Sequence, residues 1–415
     1  MRGELQLTDQ DQAALNGDLG PLQSFAMSLI VQAANAWGAQ QLTDVTFAHI
    51  DACHFNGQTH LDFARLLQKH GAKFAVPTWT NTLPISLLES DSRSQADPEF
   101  LSGAREVANI YKELGCSAVY TCAPYQLPGG PVAGQHIVGS ESNAVSYYNS
   151  VVGARTQKYG DFLDVSCALL GRAPLAGLHR DQGRKANLLL DVSTLPQDAF
   201  DQEITYHLLG HIMGSTAGDR LPALQGMNSR PTDDQYKAIA AAGAASGGVA
   251  MFHVIGHTPE AASIDQACDA EVDCLKVTTA DLESARFELS TFDHGTIDMV
   301  ALGTPHFSVD EFRRLAAILD GKQVAPSVRL YVSTSRFVFD IASDLGAVDV
   351  IERAGGIVLQ DTCTYFTPAV RGCAGRVVTN SAKWAFYAPG MLPVDVALAS
   401  LESCARSAVR GEFCP

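Results

Sequence analysis

Two hydrophobic rhythms alternate along the chain. One places apolar residues every three to four positions, as an amphipathic helix requires. The other is a short unbroken apolar run bounded by turn residues, as a buried strand requires. Thr8 or Asp9 caps a first short helix that Gly17 stops, and a second helix covers about 22–40. "DVTFAHI" and "AKFAVPTWTN" read as strands on either side of the helix "DFARLLQKHGA". A helix over about 97–115 ends at Gly115 and leads into a buried strand, "CSAVYT". Further on, the helix "DDQYKAIAAAGAA" precedes the strand "GGVAMFHVIG", "DEFRRLAAILDG" precedes "VRLYVSTS", and "AVDVIERAG" precedes "GIVLQDTC". Helix, glycine, then an apolar β-rich run is the order of parallel α/β units. The least regular segment is 180–235, with Pro196, Pro222 and Pro231, and it reads as an insertion or a connection between α/β halves.

Open parallel sheets bind ligands beyond the carboxyl ends of their strands. The tips here run from Pro77 to Asn81, Thr121 to Pro124, His257 to Pro259, Thr304 to His306, Ser333 to Ser335 and Asp361 to Cys363. Cys122 and Cys363 hold equivalent positions after buried runs. Thiols on separate tips suit an iron–sulfur centre, a packed structural role, or a nucleophile with a base such as His306. Cys373, in "VRGCAGR", is a spare ligand on a loop. The densest polar stretch is "GQHIVGSESNAVSYYNSVVGARTQKYGD". In it Ser140, Glu141, Ser142 and Asn143 resemble a helix start suited to an anion. Asn149 and Ser150 follow about two turns on, and Arg155 with Thr156 lies in a turn where an arginine clamps a carboxylate. "VVTNSAKWAFYAPG" sets Asn380, Ser381 and Lys383 after another apolar run. His49, beside Asp51, is a core histidine unless it reaches the same edge.

Composition narrows the class. The 415 residues are 46% hydrophobic and 18% charged, with a formal net charge of −16. That balance suits a well-buried α/β protein of two or three subdomains. It lacks the basic footprint of a partner for nucleic acid or an anionic membrane. The N-terminus has no signal-peptide core, and "FAMSLIVQAANAWGA" is too short and too interrupted to span a bilayer. Ten scattered cysteines without a disulfide-like spacing point to a reducing, cytoplasmic location.

The motifs together carry a resemblance. "FAHIDACHF", "AVPTWTN", "YTCAPY", "SESNAVSYYNSVVGART", "LLGRAPLAGLH", "IGHTPEA", "LGTPHFSVDEF", "DTC" and "NSAKWAFYAPG", in this order, resemble the large catalytic subunit of the aconitase X family. The resemblance implies an aconitase-like α/β fold of parallel or mixed units around a central cleft. It also implies a hydro-lyase for a small hydroxylated acid. Family members are similar to cis-3-hydroxy-L-proline dehydratases in bacteria and to mevalonate 5-phosphate dehydratases in archaea. They use an iron–sulfur centre on three cysteines. Two of these match Cys122 and Cys363. The third falls in a Gly-Cys-Pro-His motif that here reads Gly303-Thr304-Pro305-His306. With Thr304 in that place, either Cys373 completes the centre, or the centre is smaller, or the metal is a mononuclear iron or absent. A non-catalytic, iron-sensing role is the corresponding alternative. The resemblance further implies a small swivel domain that supplies a serine base. It is expected here on a separate partner subunit. Within this frame Lys383, His306 and Ser381 are candidate catalytic groups. Glu141, Ser142, Asn143, Asn149, Ser150, Arg155, Thr156, Asn81, His49 and His179 are candidate substrate contacts.

Overall fold

A computed structural model describes residues 4–88, 96–365 and 374–415. The first helix, Asp9–Asn16, is capped reciprocally. Thr8 Oγ1 accepts from the Asp11 N–H, and the Asp11 carboxylate accepts from the Thr8 N–H. Helices Pro21–Trp37, Gln58–Lys69 and Pro98–Glu113 turn apolar faces inward, and Ile30, Leu67 and Tyr111 join Ile50 in one core. That core surrounds a parallel sheet ordered Thr78–Thr80, Ala48–Ile50, Val138–Gly139. A second parallel sheet runs His253–Val254, Pro222–Gln225, Ala186–Asp191, Cys268–Lys276. Helices Glu203–Ala217 and Asp233–Gly247 pack closely against each other beside it.

The third sheet has five parallel strands, ordered Gly356–Gln360, Arg329–Thr334, Met299–Leu302, Gly375–Thr379, Val394–Leu398. Its earliest strand in sequence is central. The next two strands extend to one side and the last two to the other. The connections therefore diverge between Met299–Leu302 and Gly375–Thr379. This is the topological switch point at which such sheets bind ligands. The loops leaving those two strands carry Thr304 to His306 and Asn380 to Lys383.

Four strand expectations change. In "AKFAVPTWTN" only Thr78–Thr80 is a strand. "DVTFAHI" divides into Leu42–Asp44, which pairs antiparallel with Arg172–Pro174, and Ala48–Ile50. In "GGVAMFHVIG" only His253–Val254 is a strand. "CSAVYT" forms a single bridge, Ser117 to Trp79, and no strand. Its backbone is drawn off the ladder, because the Tyr120 N–H donates to Thr80 Oγ1 (3.2 Å) and Tyr120 turns left-handed at φ 41°. The stretch 180–235 carries the strand Ala186–Asp191, the helix Glu203–Ala217 and the strand Pro222–Gln225. Cys373 lies outside the described residues. Among the described residues, no helix is long and apolar enough to cross a membrane.

Candidate active site

The turn after Tyr120, the loop after Met299–Leu302 and the loop after Gly356–Gln360 meet at two thiols. The sulfurs of Cys122 and Cys363 are 3.5 Å apart, and the Cys363 S–H donates to Cys122. The His306 N–H also donates to Cys122 Sγ, at 3.3 Å. Candidate ligand atoms of Cys122, His306 and Cys363 all lie within 4.8 Å of one another, and all three residues are buried. The hydrogen bond to Cys122, then burial, push the Cys363 thiol well above the usual range. Thr304, at the position of the missing cysteine, is 3.4 Å through its hydroxyl from that of Thr364. Ser381 Oγ donates to the Thr304 carbonyl. A glycine is required before Thr304. Gly303 has φ 87°, and a Cβ there would sit 2.1 Å from the Ser333 carbonyl oxygen.

The His306 ring is fixed by its partners. A carbonyl only accepts, so Nε2 donates to Thr362 O (3.0 Å). Nδ1 then lacks a proton and accepts from Thr121 Oγ1 (3.0 Å). Burial lowers the ring to about 4, which keeps it neutral. With both nitrogens engaged, His306 is not free to take a proton from either thiol. That removes the base which the cysteine-nucleophile reading requires. Lys237, which sequence reasoning passed over, holds the His306 carbonyl at 3.4 Å, and Gln126 Nε2 holds it at 3.1 Å. Lys237 is itself buried and ion-paired to Asp234 and Glu311. Its signal in the sequence was a lone cation inside "DDQYKAIAAAGAA".

Beside the thiols is a buried charge chain. Lys383 Nζ is 2.5 Å from Glu141 Oε1 and 3.5 Å from Ser142 Oγ. Asn143 Nδ2 bridges Glu141 Oε1 (2.7 Å) and the Cys122 carbonyl (3.0 Å). Asn81 Nδ2 bridges Glu141 Oε2 (3.0 Å) and Asp51 Oδ1 (2.7 Å). Burial alone would raise the Glu141 carboxyl, but Lys383 and the amide donors hold it at about 2. Burial would also lower Lys383, yet Glu141 keeps it well above the ordinary lysine range. The two partners thus agree on an ionised pair. Asp51 is the opposite case: burial, then the Glu141 charge, push it well above the carboxylate range. His49 donates from Nε2 to Thr121 O (3.0 Å), and burial lowers it to about 4.

The folded pKa of Glu141, about 2, lies below its ordinary 4.5. The stability it contributes is present above the ordinary value and is lost as pH falls toward the folded one. Urea midpoints should therefore drop between about pH 4.5 and 2. In Glu141→Gln that part of the acid sensitivity should be missing.

The remaining polar candidates gather elsewhere. Arg155 pairs with Asp181, which is 86% exposed, and donates to His179 O (3.2 Å). It bridges His136, ahead of the strand Val138–Gly139, whereas Glu141 follows that strand. Asn149 spends its amide on Thr156 O, Ala250 O, Thr156 N–H and Arg184. The Thr156 hydroxyl accepts from the Gly139 N–H, and Ser150 Oγ accepts from the Phe252 N–H. His179 contacts His136 and Tyr159. These residues bond to one another and to nearby backbone, and Arg155 meets Asp181 and His179 rather than the Lys383–Glu141 chain. Arg155→Lys should leave kcat and KM within about twofold of the parent in steady-state assays, because its partner is open to solvent.

A cleft of about 1080 Å³ connects to this centre through Tyr125 and Gln126, which bond to Asn143 and the His306 carbonyl; the thiols, Lys383 and Glu141 do not line it. It is lined by Tyr125 and Gln126 from the first unit, Glu203 and Asp234 from the second, and Ser308 and Arg314 from the third. Comparison with known proteins gives one answer throughout. Residues 4–182, 186–287 and 297–410 match, in order, the descriptions "Aconitase X first domain", "Aconitase X second domain" and "Aconitase X third domain". A cis-3-hydroxy-L-proline dehydratase of Pseudomonas aeruginosa is 41% identical over 97% of this chain and 69% of its own length. A phosphomevalonate dehydratase large subunit of Methanothermobacter thermautotrophicus is 34% identical, over 95% of this chain and 96% of its own length. The crystal structure of Thermococcus kodakaraensis aconitase X in its holo-form superposes with a TM-score of 0.85 at 30% identity, covering 97% of this chain and 100% of that one. Motif order, domain order and backbone coincide over nearly the whole length, and the chain belongs to the aconitase X family.

Proposed function

We propose that the chain is the catalytic part of a dehydratase that removes water from cis-3-hydroxy-L-proline. The observation that carries this reading is the buried Cys122–Cys363 pair, 3.5 Å apart, beside the Lys383–Glu141 ion pair. One feature favours hydroxyproline over phosphomevalonate. The Pseudomonas dehydratase is more similar to this chain than the phosphomevalonate relative is.

The donor set fits iron, alone or as an iron–sulfur group, held by two thiolates. Thiolates are the soft ligands such centres take. Two buried polar atoms close by, Thr362 Oγ1 and Asn81 Oδ1, have no hydrogen-bond partner among the described residues. Cys122 and Cys363 would hold the group, with Thr304 in place of a third thiol. Such a group supplies Lewis-acid assistance to a departing hydroxyl. The chain's own residues set the charges and positions around the substrate. Lys383 keeps its proton and offers positive charge where the substrate carboxylate must be neutralised. Glu141, Asn143 and Ser142 fix the position of that ammonium. Asp51 holds a proton at the far end of the chain of contacts through Asn81, so one carboxyl is kept ionised and its neighbour protonated. His306 stays neutral and orients the loop at Cys122.

The naming of relatives as large subunits motivates a partner. We place the swivel-domain serine on a separate small subunit, which supplies the base. Anaerobic reconstitution of the chain with iron, sulfide and that subunit should yield loss of one water from cis-3-hydroxy-L-proline, followed by mass spectrometry. Turnover of phosphomevalonate alone would reverse the substrate order. Turnover of neither, with iron bound, would support the sensing role instead.

A further inference from the structure

Two non-glycine residues near the thiols have left-handed backbones, Tyr120 (φ 41°) and Asp361 (φ 71°). Each stands two positions ahead of a site cysteine. A tyrosine in this region is an outlier that surrounding contacts must hold in place. One side chain touches both. Arg336, the first residue of the helix Arg336–Asp344, donates from Nε to Asp361 Oδ1 and from an Nη to Oδ2, both at 2.7 Å. Its Cζ lies 5.3 Å from the centroid of the Tyr120 ring. The fork fixes the plane of the Asp361 carboxylate. The ring contact is a cation–π interaction with the other turn. Asp361 is also tied to the first unit, where its carbonyl accepts from the Leu83 N–H (2.7 Å) and Oδ2 from the Leu87 N–H (3.2 Å).

We infer that Arg336 is a positioning residue that holds the two cysteine turns in mutual register and so sets the Cys122–Cys363 separation. The inference rests on the proposed role of these thiols as ligands, but it concerns their geometry and is testable without the metal. Arg336 reaches neither sulfur. It acts through Tyr120 and Asp361.

The probe is arsenite, which as neutral As(OH)₃ condenses with two neighbouring thiols and releases two waters. Metal-free protein should capture it at Cys122 and Cys363, read as a mass increment and the loss of two titratable thiols. Cys122→Ser identifies the site by abolishing the capture. Arg336→Gln and Arg336→Lys should capture about tenfold more weakly, since neither rebuilds the fork. Asp361→Gly keeps the left-handed backbone and removes the clamp together with the Leu87 contact, so it should capture at least as weakly as Arg336→Gln. Circular dichroism of each variant reports whether the fold is kept. Wild-type capture by folded Arg336→Gln, or no capture by the wild type, overturns the inference. Capture that depends on Arg336, in a protein that binds no iron, upholds the clamp and removes the iron reading instead.

Discussion

Cys122→Ser and Cys363→Ser should each lose bound iron, and turnover should fall by about three orders of magnitude or more. An acceleration of about 10⁶-fold or greater is typical of enzymes, and a dehydration whose leaving hydroxide is unassisted forfeits much of it. Serine is nearly isosteric with cysteine but is a poor ligand for iron. Cys363 sits in the turn after the strand Gly356–Gln360 and Cys122 in the turn after Tyr120, so neither belongs to a strand or helix. Stability should therefore change by only about 1 kcal/mol. The measurements are iron and sulfide counts on anaerobically prepared protein, its visible spectrum and kcat. Full iron content and full turnover in either variant would remove these thiols from the centre. Insoluble variants of a protein that binds no iron would make them packing residues.

Lys383→Met should destabilise the protein by about 3–5 kcal/mol, the usual cost of stranding one member of a buried pair. Side-chain exposure is 3% for Lys383 and 12% for Glu141, so water cannot take over the ammonium's role. The Glu141 carboxyl should then rise, because burial, the largest influence on it, is opposed by the Asn81 and Asn143 donors but no longer by Lys383. Adding Glu141→Gln removes the stranded charge and should restore most of the stability. A double-mutant cycle from denaturant midpoints measures the coupling. Purely additive losses would mean that the two groups do not act as a pair. Turnover should stay low in the double variant, since the charge offered to the substrate carboxylate is gone.

Much of this site was legible because polar residues interrupt apolar runs at fixed places. Cys122, Thr304, His306, Cys363 and Lys383 all follow such runs, and the family resemblance named the thiols. The helix-start residues Glu141, Ser142 and Asn143 were legible too, although Glu141 serves Lys383 rather than presenting an anion site. Arg155 misled because an arginine in a turn reads the same on either side of a sheet. Only the pairing of His136 with Arg155 shows which end it occupies. Lys237, Asp51 and Arg336 left almost no trace. Lys237 and Arg336 act through contacts across units, Lys237 to Glu311 spanning 74 positions, and Asp51 meets Asn81 across 30. The left-handed Tyr120 was invisible for a related reason, since nothing in a tyrosine announces a turn that its neighbours impose.

The two thiols are 241 positions apart in the chain. Synthesis proceeds at about 5–20 residues per second, so Cys122 leaves the ribosome roughly 10–50 s before its partner. During that interval Cys122 is without its later neighbour. No ion can be held by both until the last sheet has been made and has docked. If the two thiols hold one ion, as proposed, its loading waits until the first and third sheets have docked.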